Sequence, residues 1–175
     1  MKRYLFLIST CLVLYSSHAF ALLDFSVGIP FSHTISGEGN DGTELDSDGV
    51  SGYFVQIGVP ILPGVGIDNY KTKLKNTEIE LVTMIYNLYY QLPIPVINFT
   101  LGVGVGNTEL ECSYCSDYDK GSASQWYANL GFPIIPLFDL HFSYRSISTK
   151  IKAKTGGWEG DFSGNIMGLG IGFSF

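Results

Sequence analysis

Four residues with reactive side chains stand two apart in the segment Asp139-Leu-His141-Phe-Ser143-Tyr-Arg145. Carboxylate, imidazole and hydroxyl are the parts of nucleophilic catalysis, in which the histidine takes the serine proton and the acid orients the histidine. A spacing of two puts all four on one face of a strand. Neighbours at i and i+2 along a strand are about 6 to 7 Å apart, too far for direct proton transfer unless the strand bends. The same placement suits a ladder of interior hydrogen bonds, with Asp139 and Arg145 paired to groups on adjacent strands, and this is the reading adopted.

Two cysteines stand in Cys112-Ser-Tyr-Cys115, a spacing shared with redox-active dithiols. No strand-helix-strand pattern surrounds them to lower a thiol pKa, and no further His or Cys lies near to complete a zinc site. An oxidising compartment then favours a small structural disulfide between Cys112 and Cys115. Acidic residues crowd two segments, Glu38, Asp41, Glu44, Asp46 and Asp48 in one, and Glu109, Glu111, Asp117 and Asp119 in the other. Asp46-Ser-Asp48-Gly matches only a fragment of a calcium loop, without the closing glutamate. No metal site and no cofactor are predicted; these are solvated loops.

The elements that must position these residues begin after residue 21. Lys2 and Arg3 precede an apolar run over 4–15, followed by Ser-Ser-His-Ala-Phe-Ala, with Ala19 and Ala21 at the small positions that signal peptidase needs. We predict a signal peptide over 1–21 and a mature domain over 22–175. Cleavage on Ser17 and Ala19 is the second choice, and lipidation at Cys11 fits poorly. Without Lys2 and Arg3 the mature chain has eight basic residues against 16 acidic, a net charge of −8 that excludes nucleic acid as a partner. It lacks any run of 18 uncharged apolar residues, which excludes a helical span.

The mature chain alternates with period two. Phe99, Leu101, Val103 and Val105 oppose Asn98, Thr100, Gly102 and Gly104; Leu169, Ile171 and Phe173 oppose Gly168, Gly170 and Gly172. The pattern recurs over 23–32, 52–61, 82–91, 125–132 and 138–145, giving seven plain strands with those two. An eighth, over 64–70, is needed for the chain to return, and 71–80, rich in Lys and Glu, reads as aqueous loop. Connections alternate in kind. Three are short and proline-rich (59–64, 92–96, 132–137), forming a degenerate repeat; four are long and hydrophilic (34–48, 71–77, 107–122, 149–160).

Bulky apolar residues form the regular face, and Gly, Ser, Asn and Gln the opposite one. Small polar residues cannot fill a dry core, so the bulky face must meet lipid. This predicts an all-β fold: an eight-stranded antiparallel transmembrane β-barrel, with short periplasmic turns, long extracellular loops and both termini periplasmic. Its predicted lumen holds a polar network of Gln56, Asn98, Gln125, Asn129, Asp139, His141 and Arg145, with Phe54 and Tyr127 as filling. Tyr53, Tyr86, Trp126, Tyr144 and Phe175 are predicted to form interfacial girdles.

The terminal Gly168-Leu-Gly-Ile-Gly-Phe-Ser-Phe175 resembles the carboxy-terminal recognition strand of bacterial outer-membrane proteins, with Leu169, Ile171, Phe173 and Phe175 as the assembly signal. With the leader and the strand count, the mature chain is similar to the small barrels grouped around the OmpA barrel domain, OmpX, OmpW, PagP and PagL. The resemblance implies a Gram-negative outer membrane, partners in lipid, lipopolysaccharide and the barrel assembly machinery, and a monomer. It also supplies two enzymatic comparisons. His141-Phe-Ser143 matches the His-x-Ser of PagL-type lipid A deacylases, with Glu159 as the glutamate further on, although Tyr144 stands where that family has asparagine. His33 is the counterpart for PagP-like acyl transfer, without that family's amphipathic amino-terminal helix. A structural or surface-interaction role without catalysis is the expected function; a lipid A-modifying enzyme and a narrow OmpW-like conduit for small apolar molecules are the alternatives.

Overall fold

The computed structural model describes residues 23–92, 94, 97–113, 115–135 and 137–174. Residues 1–22, which include the predicted signal peptide, and Pro93, Pro95, Val96, Tyr114, Pro136 and Phe175 lie outside the described residues. Nine strands follow in order: β1 (Asp24–Ile35), β2 (Ser47–Gly58), β3 (Gly64–Leu74), β4 (Glu80–Leu92), β5 (Asn98–Glu111), β6 (Gly121–Ile135), β7 (Phe138–Lys152), β8 (Glu159–Asp161) and β9 (Gly164–Ser174). Eight are long and each pairs antiparallel with the next; β9 pairs with both β7 and β1, which closes the sheet into a barrel. Closure gives the backbone groups partners without water, the condition for strands in lipid. β8 is a three-residue strand that pairs with Lys150 to Lys152 of β7 and, on its other edge, bridges Gly160 to Gly39 in the first loop. Asp24 lies opposite Ser174, so both described termini sit at the end that carries the short turns.

The side chains on the two faces follow the sequence in the turn-side half. Val27, Ile57, Val65, Leu88, Val103, Leu130, Leu140 and Ile171 are exposed on the outer wall. Aromatic pairs span neighbouring strands there, with ring centroids 4.8 Å apart for Phe138 and Phe173 and 5.7 Å for Trp126 and Tyr144. Such cross-strand contacts fix the register, because a slip of one residue would turn every apolar side chain inward.

In the other half the chain departs from expectation. The predicted loop over 71–77 is strand as far as Leu74, and only 75–79 connect β3 to β4, closed by Leu74 N–H donating to the Ile79 carbonyl at 3.0 Å. Period two persists there: Tyr70, Thr72 and Leu74 are buried while Lys71 and Lys73 are exposed. The lysines disguise it because they stand on the outer face beyond the apolar band, where the surroundings are aqueous. The other three long connections are likewise shorter than predicted, since β1, β5 and β7 continue past the band to Ile35, Glu111 and Lys152.

The predicted small, polar interior also needs correction above the band. Phe54, Tyr70, Ile85, Ala123, Ile147 and Ile166 form one buried cluster, and Ile35, Leu74, Leu81, Ile151 and Phe162 a second, nearer the loops. Where the outside turns from lipid to water, the inside turns from polar to apolar, as a soluble barrel requires. Each half thus obeys the same hydrophobic driving force with its faces exchanged.

One seam of the wall is open to the ladder. β1 pairs with β2 only from Asp24 to Gly28, against Gly58 to Phe54. Beyond that, among the described residues, 29–35 of β1 have no ladder partner on β2. Pro30 has no N–H to give, β1 bulges between Pro30 and Ser32, and Gly49 and Gly52 of β2 take positive φ values of 124° and 144°. The Ser47 hydroxyl donates to the His33 carbonyl across the top of this seam.

Candidate functional site

Among the described residues the lumen collects buried polar groups, and it does so in layers. At the turn end Asp24, Asn98, Asp139 and His141 line a cavity of about 20 Å³, room for a water molecule. Asn98 donates to Asp139 Oδ2 at 3.0 Å, and His141 Nδ1 lies 3.3 Å from Asp139 Oδ1. Glycine is required opposite them: a Cβ on Gly170 would stand 2.2 Å from His141 Nε2. That glycine makes room for the imidazole, not for an acyl chain.

The middle layer is built around Arg145. Its Nη1 donates to Asp68 Oδ2 at 2.7 Å, and the two side chains are 1% and 0% exposed. The guanidinium lies 3.7 Å from the centroid of Phe54 and 4.4 Å from that of Tyr127. Gln125 donates to Asp68 and, at 2.7 Å, to Asn87 Oδ1. Gln56 donates to the Tyr127 hydroxyl at 2.6 Å and accepts from Asn129 at 3.0 Å. Together these groups cross the barrel from β2, β3, β4, β6 and β7. The ladder foreseen along adjacent strands is instead a bridge across the lumen, because strand curvature in a small barrel brings opposite walls within one side-chain length. Asp68, its anionic centre, was missed: it sits in the strand whose alternation the lysines obscured. The available signal was its position between Gly66 and Tyr70, on the inward parity of that strand.

The residues of the enzymatic alternative do not come together. His141 bonds to Asp139, not to Ser143, and the buried Ser143 hydroxyl has no partner among the described residues. Glu159 lies at the other end of β7, 3.1 Å from Lys152 and 3.7 Å from Lys150. Nine residues separate His141 from Lys150, about 30 Å of strand. His33 is apart from all of them, with Nδ1 2.7 Å from the Thr72 hydroxyl.

At the loop end the acidic residues are shared among lysines: Asp46 with Lys75 at 3.2 Å, Glu109 with Lys120 at 2.6 Å, and Glu111 with Lys71. Being exposed, these pairs contribute little stability. Hydrogen bonds from Thr43, side chain first and then backbone, hold the Asp41 carboxyl below the usual carboxylate range. Among the described residues no three His, Cys, Asp or Glu side chains converge as metal ligands. Cys112 and Cys115 are bonded to each other, with Cα atoms 5.1 Å apart, beside a single 3-10 turn over Cys115–Asp117.

A polar lumen inside an apolar outer wall is the anatomy of a membrane barrel, and the sequence itself matches the outer membrane protein beta-barrel domain over residues 7–175. The chain belongs to that family. Among solved structures it is similar to the outer membrane protein OprG from Pseudomonas aeruginosa, with 12% identity, a TM-score of 0.60, and 89% of this chain and 97% of that one covered. Neisserial surface protein A matches at 13% identity and a TM-score of 0.58, covering 87% and 96%. Outer membrane protein W of E. coli matches at 9% identity and a TM-score of 0.57, covering 89% and 98%. At such identities the likeness establishes the fold alone. Among curated protein sequences none matches. For an outer-membrane barrel the exposed aliphatic and aromatic side chains are lipid-facing, and Arg145 and Asp68 are buried across the lumen at mid-height.

Proposed function

We propose that this outer-membrane barrel is a non-catalytic, water-sealed monomer whose work is done on its loop end and outer surface. The Arg145–Asp68 bridge carries this reading, because a fully buried ion pair flanked by Phe54 and Tyr127 stands across the middle of the lumen. The mature chain starts after Ala21, its termini and short turns face the periplasm, and its loops face outward. Lysine and carboxylate side chains at the rim suit lipopolysaccharide, whose phosphates the lysines meet directly and whose bridging cations the carboxylates share. The assembly machinery reads Leu169, Ile171, Phe173 and Phe175. Proteoliposomes containing the purified protein are expected not to swell in isosmotic sugars; swelling at the rate of a general porin would overturn the reading.

The same geometry disfavours lipid A chemistry, since His141, Ser143 and Glu159 do not meet. Lipid A from cells with and without the protein is expected to have the same mass spectrum. Loss of an acyl chain that depends on both His141 and Ser143, tested as His141→Ala and Ser143→Ala, would reverse the assignment. Both substitutions are instead expected to affect only thermal stability.

A second reading, the narrow conduit for small apolar molecules, has one specific observation in its favour. The unpaired seam between β1 and β2 starts beside Phe54 and Asp68, at the level where the lumen changes from polar to apolar. An apolar solute entering from the loops would find the way down blocked and the side wall unladdered. Faster transfer of a small apolar dye into vesicles bearing the protein, without sugar swelling, would favour this reading over the first.

A further inference from the structure

The three short turns are apolar to their tips. Ile61 is 77% exposed and Ile134 68%, and Leu62, Ile94, Ile135 and Leu137 are exposed with them. Isolated exposed aliphatics need no explanation, but three turns sharing a Pro-Ile core, all at one end of the barrel, form a ring. Charge is missing from that ring. Residues 25–29, 53–67, 86–105, 126–142 and 167–175 hold no Lys, Arg or Glu, and a single Asp, Asp139. Asp139 and Asp24 both line the interior cavity. Every lysine of the mature chain lies at the other end. A turn ring that met water would be, among the described residues, a water-facing end without a charged group on its outer surface.

The height of the apolar wall shows what covers it. On the β2–β3 hairpin the rung Tyr53–Asn69 marks the polar limit, since Lys71 is the next outward residue of β3; the last rung before the turn is Ile57–Val65. Four residues separate those rungs, about 14 Å along the strand and about 10 Å along the membrane normal at a tilt near 40°. The hydrocarbon-facing band of such barrels is about 25 Å tall. The β-turn beyond, closed by Leu62 N–H donating to the Val59 carbonyl at 3.0 Å, carries the apolar wall further through Val59 and Ile61. On the opposite side Trp126, with Tyr144 beside it, marks the limit, and Leu130, Phe132 and Ile134 lead down β6 to the next turn, about 20 Å. The apolar wall approaches the lipid thickness only when the turn end is included.

We propose that the turn end is sunk in the leaflet on the side of the termini, so that the proline-rich turns complete the lipid-facing wall instead of projecting into water. Proline suits the position: each one in a turn removes an N–H that would otherwise need a partner in lipid. This rests on the membrane reading of the fold but not on which side of the membrane the turns face, nor on either proposed function.

The test uses the mature protein in phospholipid nanodiscs, with nitroxide labels at Ile61→Cys, Ile134→Cys and, as an aqueous control, Asn76→Cys. The bonded Cys112 and Cys115 leave each new thiol as the labelling site when reductant is omitted. The barrel is first checked for its heat-dependent gel shift, so that a misfolded variant is not read. In power-saturation measurements, labels at positions 61 and 134 are expected to be relaxed more by oxygen than by a water-soluble nickel chelate, with the order reversed at 76. Greater nickel access at 61 and 134 would place the turns in water and overturn the proposal. Protection from both relaxants would mean that protein covers the ring, and a spin–spin coupling would identify that protein as a second copy; either result also overturns it.

Discussion

Replacing the lumen arginine, as Arg145→Met, is expected to lower the folding free energy into lipid vesicles by about 3 to 5 kcal/mol, as removal of one partner of a buried ion pair does elsewhere. Methionine keeps much of the volume between Phe54 and Tyr127, so the loss isolates charge. What remains is the Asp68 carboxylate, 0% exposed, with Gln125 as its donor and one oxygen already without a partner. A double variant, Arg145→Met with Asp68→Leu, is expected to recover most of the loss, because an apolar pair leaves no uncompensated charge. Urea titration of folding in short-chain lipid vesicles measures both. If the single variant costs less than about 1 kcal/mol, the bridge is not the dry central element described. If the double variant is as poor as the single, the cost comes from lost packing and not from the stranded charge.

The second large effect concerns the wall. Val103→Arg is expected to cost about 2 to 4 kcal/mol, the range for a cation near the bilayer midplane of a barrel. Val103 is 60% exposed, on the outer row of β5 between Leu101 and Val105 and opposite Leu88 and Trp126. The neighbouring Gly102→Arg is expected to fail for a different reason. A Cβ at Gly102 would lie 2.3 Å from the Tyr127 ring, so any side chain there displaces the residue that packs against Arg145. Thickness separates the two mechanisms. In a thinner bilayer the Val103→Arg penalty shrinks as the cation nears the interface, whereas the Gly102→Arg penalty stays. Neutrality of Val103→Arg in reversible folding would mean that inside and outside have been exchanged.

Legibility varied along the chain for identifiable reasons. β5 and β9 were plain because glycines alternate with aliphatic residues, and the outer wall of a membrane barrel permits little else. β3 was obscure because only Val65 and Ile67 lie in the lipid band; Lys71 and Lys73 stand on the same outer face in water. Alternation is plain only where a whole face meets one solvent, and the outer face of β3 crosses two. The loop-side interior was misjudged through the same change of solvent, for Ile35, Leu74 and Ile151 are apolar on the inward parity.

The candidate site shows the same division. Parity alone placed Asp139, His141 and Arg145 inside, together with Gln56, Gln125 and Asn129, since inward and outward positions alternate rigidly along any one strand. Parity could not choose their partners. That Arg145 meets Asp68, 77 residues away, that Asn98 meets Asp139 across 41, and that Glu159 stands a strand's length from His141 depend on register and on which strands face each other in the closed ring. The sequence by itself therefore determined the barrel, its membrane wall and the inward set of polar residues, because these follow from local alternation and from the solvent on each side. The central ion pair, the polar bridge across the lumen and the unladdered seam were decided only by closure, which sets distances between residues that no local pattern relates.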